Sequence, residues 1–124
     1  MRKSVLIVDD SVFIRQALRE LFEREADFEL CAEAENRREA IEQAGTLHPD
    51  LIVLDLSMPV MNGLDAARTL KRLLPTVPLI LYSAFADRTL EQQARLIGID
   101  LVSKSEDVSV LIDKARGVVY STAA

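Results

Sequence analysis

Four short apolar runs in this sequence each close on a polar group that can do chemistry. Asp9-Asp10 follows Val5–Val8, Asp55 follows Leu51–Leu54, Ser83 follows Leu79–Tyr82, and Lys104 comes just after Ile99–Val102. Brought onto one rim, three carboxylates repel one another, and the cluster is costly unless a cation compensates it. All-oxygen ligation with retained waters suits Mg²⁺ better than zinc, and Lys104 adds a fixed positive charge. An ionised carboxylate beside Mg²⁺ and a lysine needs no general base, so it can attack phosphorus directly and form an acyl phosphate. Lys104 and the cation would then neutralise charge on the transferring group, and the Ser83 hydroxyl would donate to a phosphoryl oxygen. Taken singly, an Asp or Ser after a strand is a common turn former or helix cap. That an acid pair, an acid, a hydroxyl and an amine each close a different apolar run argues for one shared site.

The elements that must carry these groups alternate strictly. A further short run, Phe28–Ala32, brings the candidate strands to five. Between and after them, apolar residues recur at helical spacing. Ile14, Leu18 and Leu21, with Ala17 and Phe22, trace a first helix, and Ala40, Ile41, Ala44 and Leu47 a second. Leu64, Ala67, Leu70 and Leu74 mark a third, Leu90, Ala94 and Ile97 a fourth, and Val108, Leu111, Ile112 and Ala115 a fifth. Asn36 followed by Glu39 predicts a capping box, Gly98 a left-handed stop, and Glu106-Asp107 an acidic first turn for the last helix. In the second strand Phe28, Leu30 and Ala32 alternate with Glu29, Cys31 and Glu33, as at a sheet edge, whereas the third and fifth runs look buried on both faces.

Five βα units predict an α/β protein with a doubly wound parallel sheet between two helical layers. An edge second strand beside a central first strand gives the flavodoxin-like order 2-1-3-4-5 under right-handed crossovers. That order puts the ends of strands one and three side by side at a topological switch point. Residues 1–124 then form one domain, with no linker or repeat.

Composition excludes several other classes. With 124 residues, 49% hydrophobic and 28% charged, the chain can bury one core. No apolar run nears the ~18 residues of a membrane span, and the apolar stretch after Met1-Arg2-Lys3-Ser4 is too short for a signal peptide, so a cytoplasmic location is expected. Net charge is −5 without a basic run, which argues against direct nucleic-acid binding. Cys31, the one cysteine, is read as a small packed strand residue. His48, the one histidine, is read as a helix-end residue before Pro49.

The chain resembles the response-regulator receiver family over essentially its whole length. The motifs that carry the resemblance are Val5-Leu6-Ile7-Val8-Asp9-Asp10-Ser11, the stretch Pro49-Asp50-Leu51-Ile52-Val53-Leu54-Asp55-Leu56-Ser57-Met58-Pro59-Val60-Met61-Asn62-Gly63, then Ser83-Ala84 and Lys104. The resemblance implies that Asp55 is the phosphoacceptor. It implies that Asp10 and Asp55 ligate Mg²⁺ directly with the main-chain carbonyl of Ser57, and Asp9 mostly through water. Ser83 would be the hydroxyl that swings onto the phosphoryl group and Lys104 the lysine that pairs with it. The implied donor is a phosphohistidine on a sensor histidine kinase or phosphotransfer protein. The implied output is a rearranged face formed by the fourth helix, fifth strand and fifth helix, acting on an output domain, a partner or dimerisation. Such a chain is no enzyme in its own right, although it assists its own phosphorylation and dephosphorylation. Phe28 to Asn36 and Lys104-Ser105 look closest to the branch that usually carries a helix-turn-helix DNA-binding domain.

Two positions depart from the pattern. Ser105 replaces a frequent Pro, which excludes a cis-proline there, and Leu101 occupies the place of an aromatic that swings inward in many relatives. Phe85 falls where the family borders the attacking water: either its bulk would slow hydrolysis of the acyl phosphate or it is simply an exposed loop aromatic. Phe13 is expected to be half buried against the fifth helix, though a kinase could use it. Leu90, Leu96 and Val110 could furnish a weak homodimer face, although all three also fit helix packing. A haloacid-dehalogenase-type phosphatase wants an acid/base Asp at the place of Ser57, and a flavin carrier wants a phosphate cradle where Asp9-Asp10 repels phosphate. The departures at Leu101 and Ser105 leave one serious alternative, a phosphorylation-independent interaction module on the same fold.

Overall fold

The structure, a computed structural model, describes residues 2–56, 60–84 and 87–120, with backbone alone at 56 and 60–62. Ten elements alternate as expected: β1 (Lys3–Val8), α1 (Val12–Glu23), β2 (Phe28–Ala34), α2 (Arg37–Leu47), β3 (Leu51–Leu56), α3 (Val60–Leu73), β4 (Leu79–Ser83), α4 (Arg88–Ile97), β5 (Asp100–Ser103) and α5 (Ser109–Val119). All strand pairs are parallel, in the order β2-β1-β3-β4-β5. From β1 the chain steps outward to β2, then reverses past β1 to β3, and this reversal creates the crevice between β1 and β3.

Side-chain alternation divides the core between the two faces of the sheet. Val5, Ile7, Leu51, Val53, Ile80 and Val102 face Leu18 and Phe22 of α1 and Leu111, Ile112 and Ala115 of α5. Leu6, Val8, Ile52, Leu54, Leu79 and Leu81 face α2, α3 and α4, where Ala40, Ala44, Ala66, Ala67 and Ala94 allow close approach to the sheet. Phe22 and Phe28 meet edge to face with centroids 5.2 Å apart, the aromatic anchor of an otherwise aliphatic core.

Local signals explain most element ends. Asn36 accepts from the Glu39 amide at 2.9 Å, while Glu39 reaches back to the amide of Glu35 at 3.1 Å, one residue earlier than a standard capping box. Gly98 ends α4 at φ 84°, and His48 ends α2 at φ 48°, the helix-end role expected of it. The start of α5 differs from expectation: the helix begins at Ser109, so Glu106 and Asp107 precede it. Asp107 instead accepts from the Ser109 amide at 2.9 Å. The far end of α5 is tied down by Arg116, which pairs with Glu25 at 2.6 Å and Asp27 at 2.9 Å in the α1–β2 turn.

One surface expectation needs correction, that for Phe13. Phe13 is 80% exposed, because it lies on the α1 side turned away from the sheet. Leu90 is buried in the α4–sheet interface and Val110 is packed against the α5-side core, the helix-packing role also open to them, while Leu96 is exposed. Cys31 is half-buried on β2, its thiol donating to the Val5 carbonyl at 3.4 Å. Among the described residues no helix is long and apolar enough to cross a membrane, and no peptide bond is cis.

Truncation at the aromatic anchor tests this packing. Phe22→Ala should cost about 4 kcal/mol in urea unfolding and Phe22→Leu about 1 kcal/mol. Equal losses for both would mean the ring has no specific packing partner.

Candidate functional site

The period-2 pleat that builds the core also builds the site. Asp9 continues the face of Val5 and Ile7, Asp55 that of Leu51 and Val53, Tyr82 that of Ile80, and Lys104 that of Val102. Register supplies the other dimension. Val8 pairs with Leu54, which brings Asp9 level with Asp55, and Asp55 pairs with Tyr82. The result is a row of four polar-tipped side chains across the carboxyl end of the sheet, on the α1–α5 side. Ser83 belongs to the opposite alternation, with Leu79 and Leu81, and pairs with Ser103 on β5. Its carbonyl accepts from the Lys104 amide at 2.8 Å, which fixes where the lysine leaves the strand.

Asp9, Asp55 and Ser83 are fully buried, the buried polar side chains among the described residues. Lys104 is 22% exposed and its Nζ makes an ion pair with Asp55 Oδ1. The other oxygen, Asp55 Oδ2, is buried and has no hydrogen-bond partner among the described residues. A buried carboxylate oxygen without a donor is costly. Burial pushes the Asp55 carboxyl up from the usual 3.8 to about 7; Lys104 opposes the rise, and the Asp9 carboxylate adds to it.

The two acids of the pair part company. Asp9 turns inward, its Oδ1 accepting from the Ser11 amide at 2.6 Å, while Asp10 is exposed. Among the described residues no three acidic, histidine or cysteine side chains gather closely enough to chelate a metal by themselves. The chemistry of the set nevertheless fits a hard cation: hard oxygen donors, an excess of negative charge, and one Asp55 oxygen with no donor of its own.

Sequence reasoning missed the residues that frame the acid loop. Arg15 Nη1 donates to the Asp9 carbonyl at 2.7 Å, and Arg15 Nε donates to Glu33 at 3.2 Å. Arg19, one turn on, also pairs with Glu33. The signal was present as two arginines four residues apart on α1 and an acid near the end of an edge strand, but only the fold shows that they meet. Tyr82 was missed too, although the alternation that selects Asp55 selects it as well. Leu101 lies on the other face, partly buried against the α3–α4 core. Ser57 and Phe85 lie outside the described residues.

The raised Asp55 pKa makes a stability prediction. Between about pH 4 and pH 7 the folded protein holds a proton that the unfolded chain has lost. Its contribution is therefore complete at low pH and falls as pH rises to about 7. Asp55→Asn should remove that slope and stabilise the metal-free protein at pH 8 by about 2 kcal/mol, read from urea unfolding in chelator. A loss of stability at pH 8 would contradict the charge balance described for the row.

Comparison with known proteins shows the family and the fold. The family model for the response regulator receiver domain matches residues 5–116. The chemotaxis protein CheY of Thermotoga maritima is 38% identical over 119 residues, covering 95% of this chain and 98% of CheY. A protein-glutamate methylesterase/protein-glutamine glutaminase of Methanosarcina acetivorans is 37% identical over 91% of this chain but only 35% of its own length. The chain thus spans about a third of the methylesterases it matches. The crystal structure of the response regulator domain of Thermotoga maritima CheB superposes with a TM-score of 0.84 at 27% identity, covering 96% of this chain and 97% of that one. A CheX–CheY–BeF₃–Mg²⁺ complex from Borrelia burgdorferi gives a TM-score of 0.84 at 26% identity, covering 94% and 88%. With the family model matched across nearly all of the sheet and its helices, the chain belongs to the response regulator receiver domains of two-component signalling.

Proposed function

We propose that this receiver domain is a phosphorylation-dependent switch whose acceptor is Asp55. The observation that carries this reading is the Asp55 carboxylate itself, fully buried at the switch point with one oxygen on Lys104 and the other without a donor among the described residues. Such a group is poor as a structural element and well placed as a nucleophile. In the reaction an Asp55 oxygen forms a bond to the phosphorus of a phosphohistidine on a sensor kinase or phosphotransfer protein. The P–N bond breaks, its electron pair returns to the imidazole, and that nitrogen takes up a proton. Asp55 is left as an acyl phosphate.

The chain's own residues have definite tasks in this scheme. Lys104 exchanges its carboxylate partner for a phosphoryl oxygen and stays within the same small space. The Ser83 hydroxyl donates to a second phosphoryl oxygen from the neighbouring strand end. Asp10 and Asp55, with the Ser57 carbonyl, would hold Mg²⁺ directly, and Asp9 through water. The bound ion would supply counter-charge to the carboxylates and to the transferring group. Arg15 keeps the Asp9 carbonyl in place, so that the loop carrying both acids starts from a fixed point.

The output proposed for the switch is a rearranged α4–β5–α5 surface that acts on an output domain, joined or separate, or on a partner. The methylesterase relatives, of which this chain spans a third, illustrate the joined arrangement. The competing reading is a receiver-like module that binds its partner without phosphorylation. Intact-mass measurement after incubation with acetyl phosphate separates the two. The switch predicts a gain of one phosphoryl group that needs Mg²⁺ and disappears in Asp55→Asn. Wild-type chain that stays unmodified while a control receiver is labelled would favour the phosphorylation-independent module. Arg15→Ala should slow labelling about tenfold or less and raise the Mg²⁺ concentration needed, because the loop loses one part-buried charge-assisted hydrogen bond.

A further inference from the structure

We propose that Tyr82 is a positioning residue for Lys104, holding the ammonium group by the face of its ring at the distance from which it serves Asp55; this rests on Asp55 being the phosphoacceptor. Lys104 Nζ lies 5.5 Å from the centroid of the Tyr82 ring while it pairs with Asp55. That separation is within the range over which a ring quadrupole attracts a cation, and the attraction is strongest where water is excluded. The contact is partly screened from water, with Lys104 22% exposed. Tyr82 is half-buried on β4, directly beside Asp55 in the sheet register, and burial together with the Asp55 charge raises its phenol pKa. The ammonium therefore has a fixed carboxylate on one side and a fixed aromatic face on the other.

The placement has a functional logic. Lys104 leaves the sheet just beyond β5, and on a flexible four-carbon stem the ammonium is poorly confined by its backbone. When phosphoryl transfer removes the carboxylate charge it pairs with, the aromatic face is the contact that does not change. It keeps the ammonium over the acceptor while the phosphoryl oxygens arrive. Tyr82 also lines a cavity of about 430 Å³ between α1 and the carboxyl end of the sheet, which it shares with Ile14, Leu18, Leu21, Val108, Asp55 and Lys104. No other described aromatic ring has a cation at the acceptor site, since the remaining cation–ring contact, Lys3 over Tyr120, lies at the opposite end of the sheet. Leu101, the β5 residue where an aromatic was sought, packs on the other face and cannot touch this pair.

The test is the initial rate of Asp55 phosphorylation by acetyl phosphate and Mg²⁺, followed by intact mass on the full chain. Tyr82→Phe keeps the ring and should keep the rate within about twofold, while Tyr82→Leu should be slower by about fivefold. Because a leucine could disturb packing, phenylalanine analogues with one, two and three ring fluorines introduced at Tyr82 provide the decisive series. They preserve volume and progressively weaken the ring quadrupole, so the rate should fall with each fluorine. A flat fluorine series, or equal losses for Tyr82→Phe and Tyr82→Leu, would overturn the proposal while leaving Asp55 as acceptor. Wild-type chain that takes up no phosphoryl group would overturn both readings together.

Discussion

The ion pair between Lys104 and Asp55 is the constraint around which the carboxyl end of this sheet is organised. A carboxylate fully buried beside a second buried carboxylate is electrostatically unfavourable, and Lys104 is the cation that reaches it. The pair compensates only half of the acid, since Asp55 Oδ2 has no donor among the described residues. Fold stability is therefore given up locally at this carboxylate, a pattern common where a site needs a nucleophile. The large aliphatic core on both faces of the sheet, with the Arg116 clamp at the far end of α5, supplies the stability that tolerates it.

How much of this was legible in the sequence follows from the range of each interaction. Strand positions, the order 2-1-3-4-5 and the arrival of Asp9, Asp55, Ser83 and Lys104 at one end of the sheet follow from local periodicity and from what ends each apolar run. Features that depend on which way a side chain turns after its strand stops were not legible. The sequence presents Asp9 and Asp10 as equivalent neighbours, yet one is buried against Asp55 and the other faces solvent. Phe13 could be placed on a helix but not as buried or exposed, because it stands one residue before the Ile14, Leu18 and Leu21 stripe and falls at its margin. Leu90 and Val110 were plausible on a surface until the sheet showed which flank each helix occupies.

The missed residues share one cause. Arg15, Glu33 and Tyr82 act across elements distant in sequence, and each is unremarkable within its own segment. Arg15 is one of several charged residues on α1, and Tyr82 is an ordinary strand aromatic. Parity along the strand could have selected Tyr82, since it stands in register with Asp55 on the same face. The two faces of the sheet then take different parts: Leu101 belongs to the α3–α4 side, whereas Asp9, Asp55, Tyr82 and Lys104 belong to the α1–α5 side.

The central claim is that a covalent acyl phosphate forms at one particular carboxylate of the row. Borohydride reduces an acyl phosphate to an alcohol, so reduction after incubation with acetyl phosphate and Mg²⁺ converts the acceptor aspartate to homoserine, which tandem mass spectrometry of the digest locates. The account predicts homoserine at position 55 alone, and none when Mg²⁺ is chelated. Homoserine at position 9 or 10, or at no position in a chain that otherwise folds and binds Mg²⁺, would contradict it.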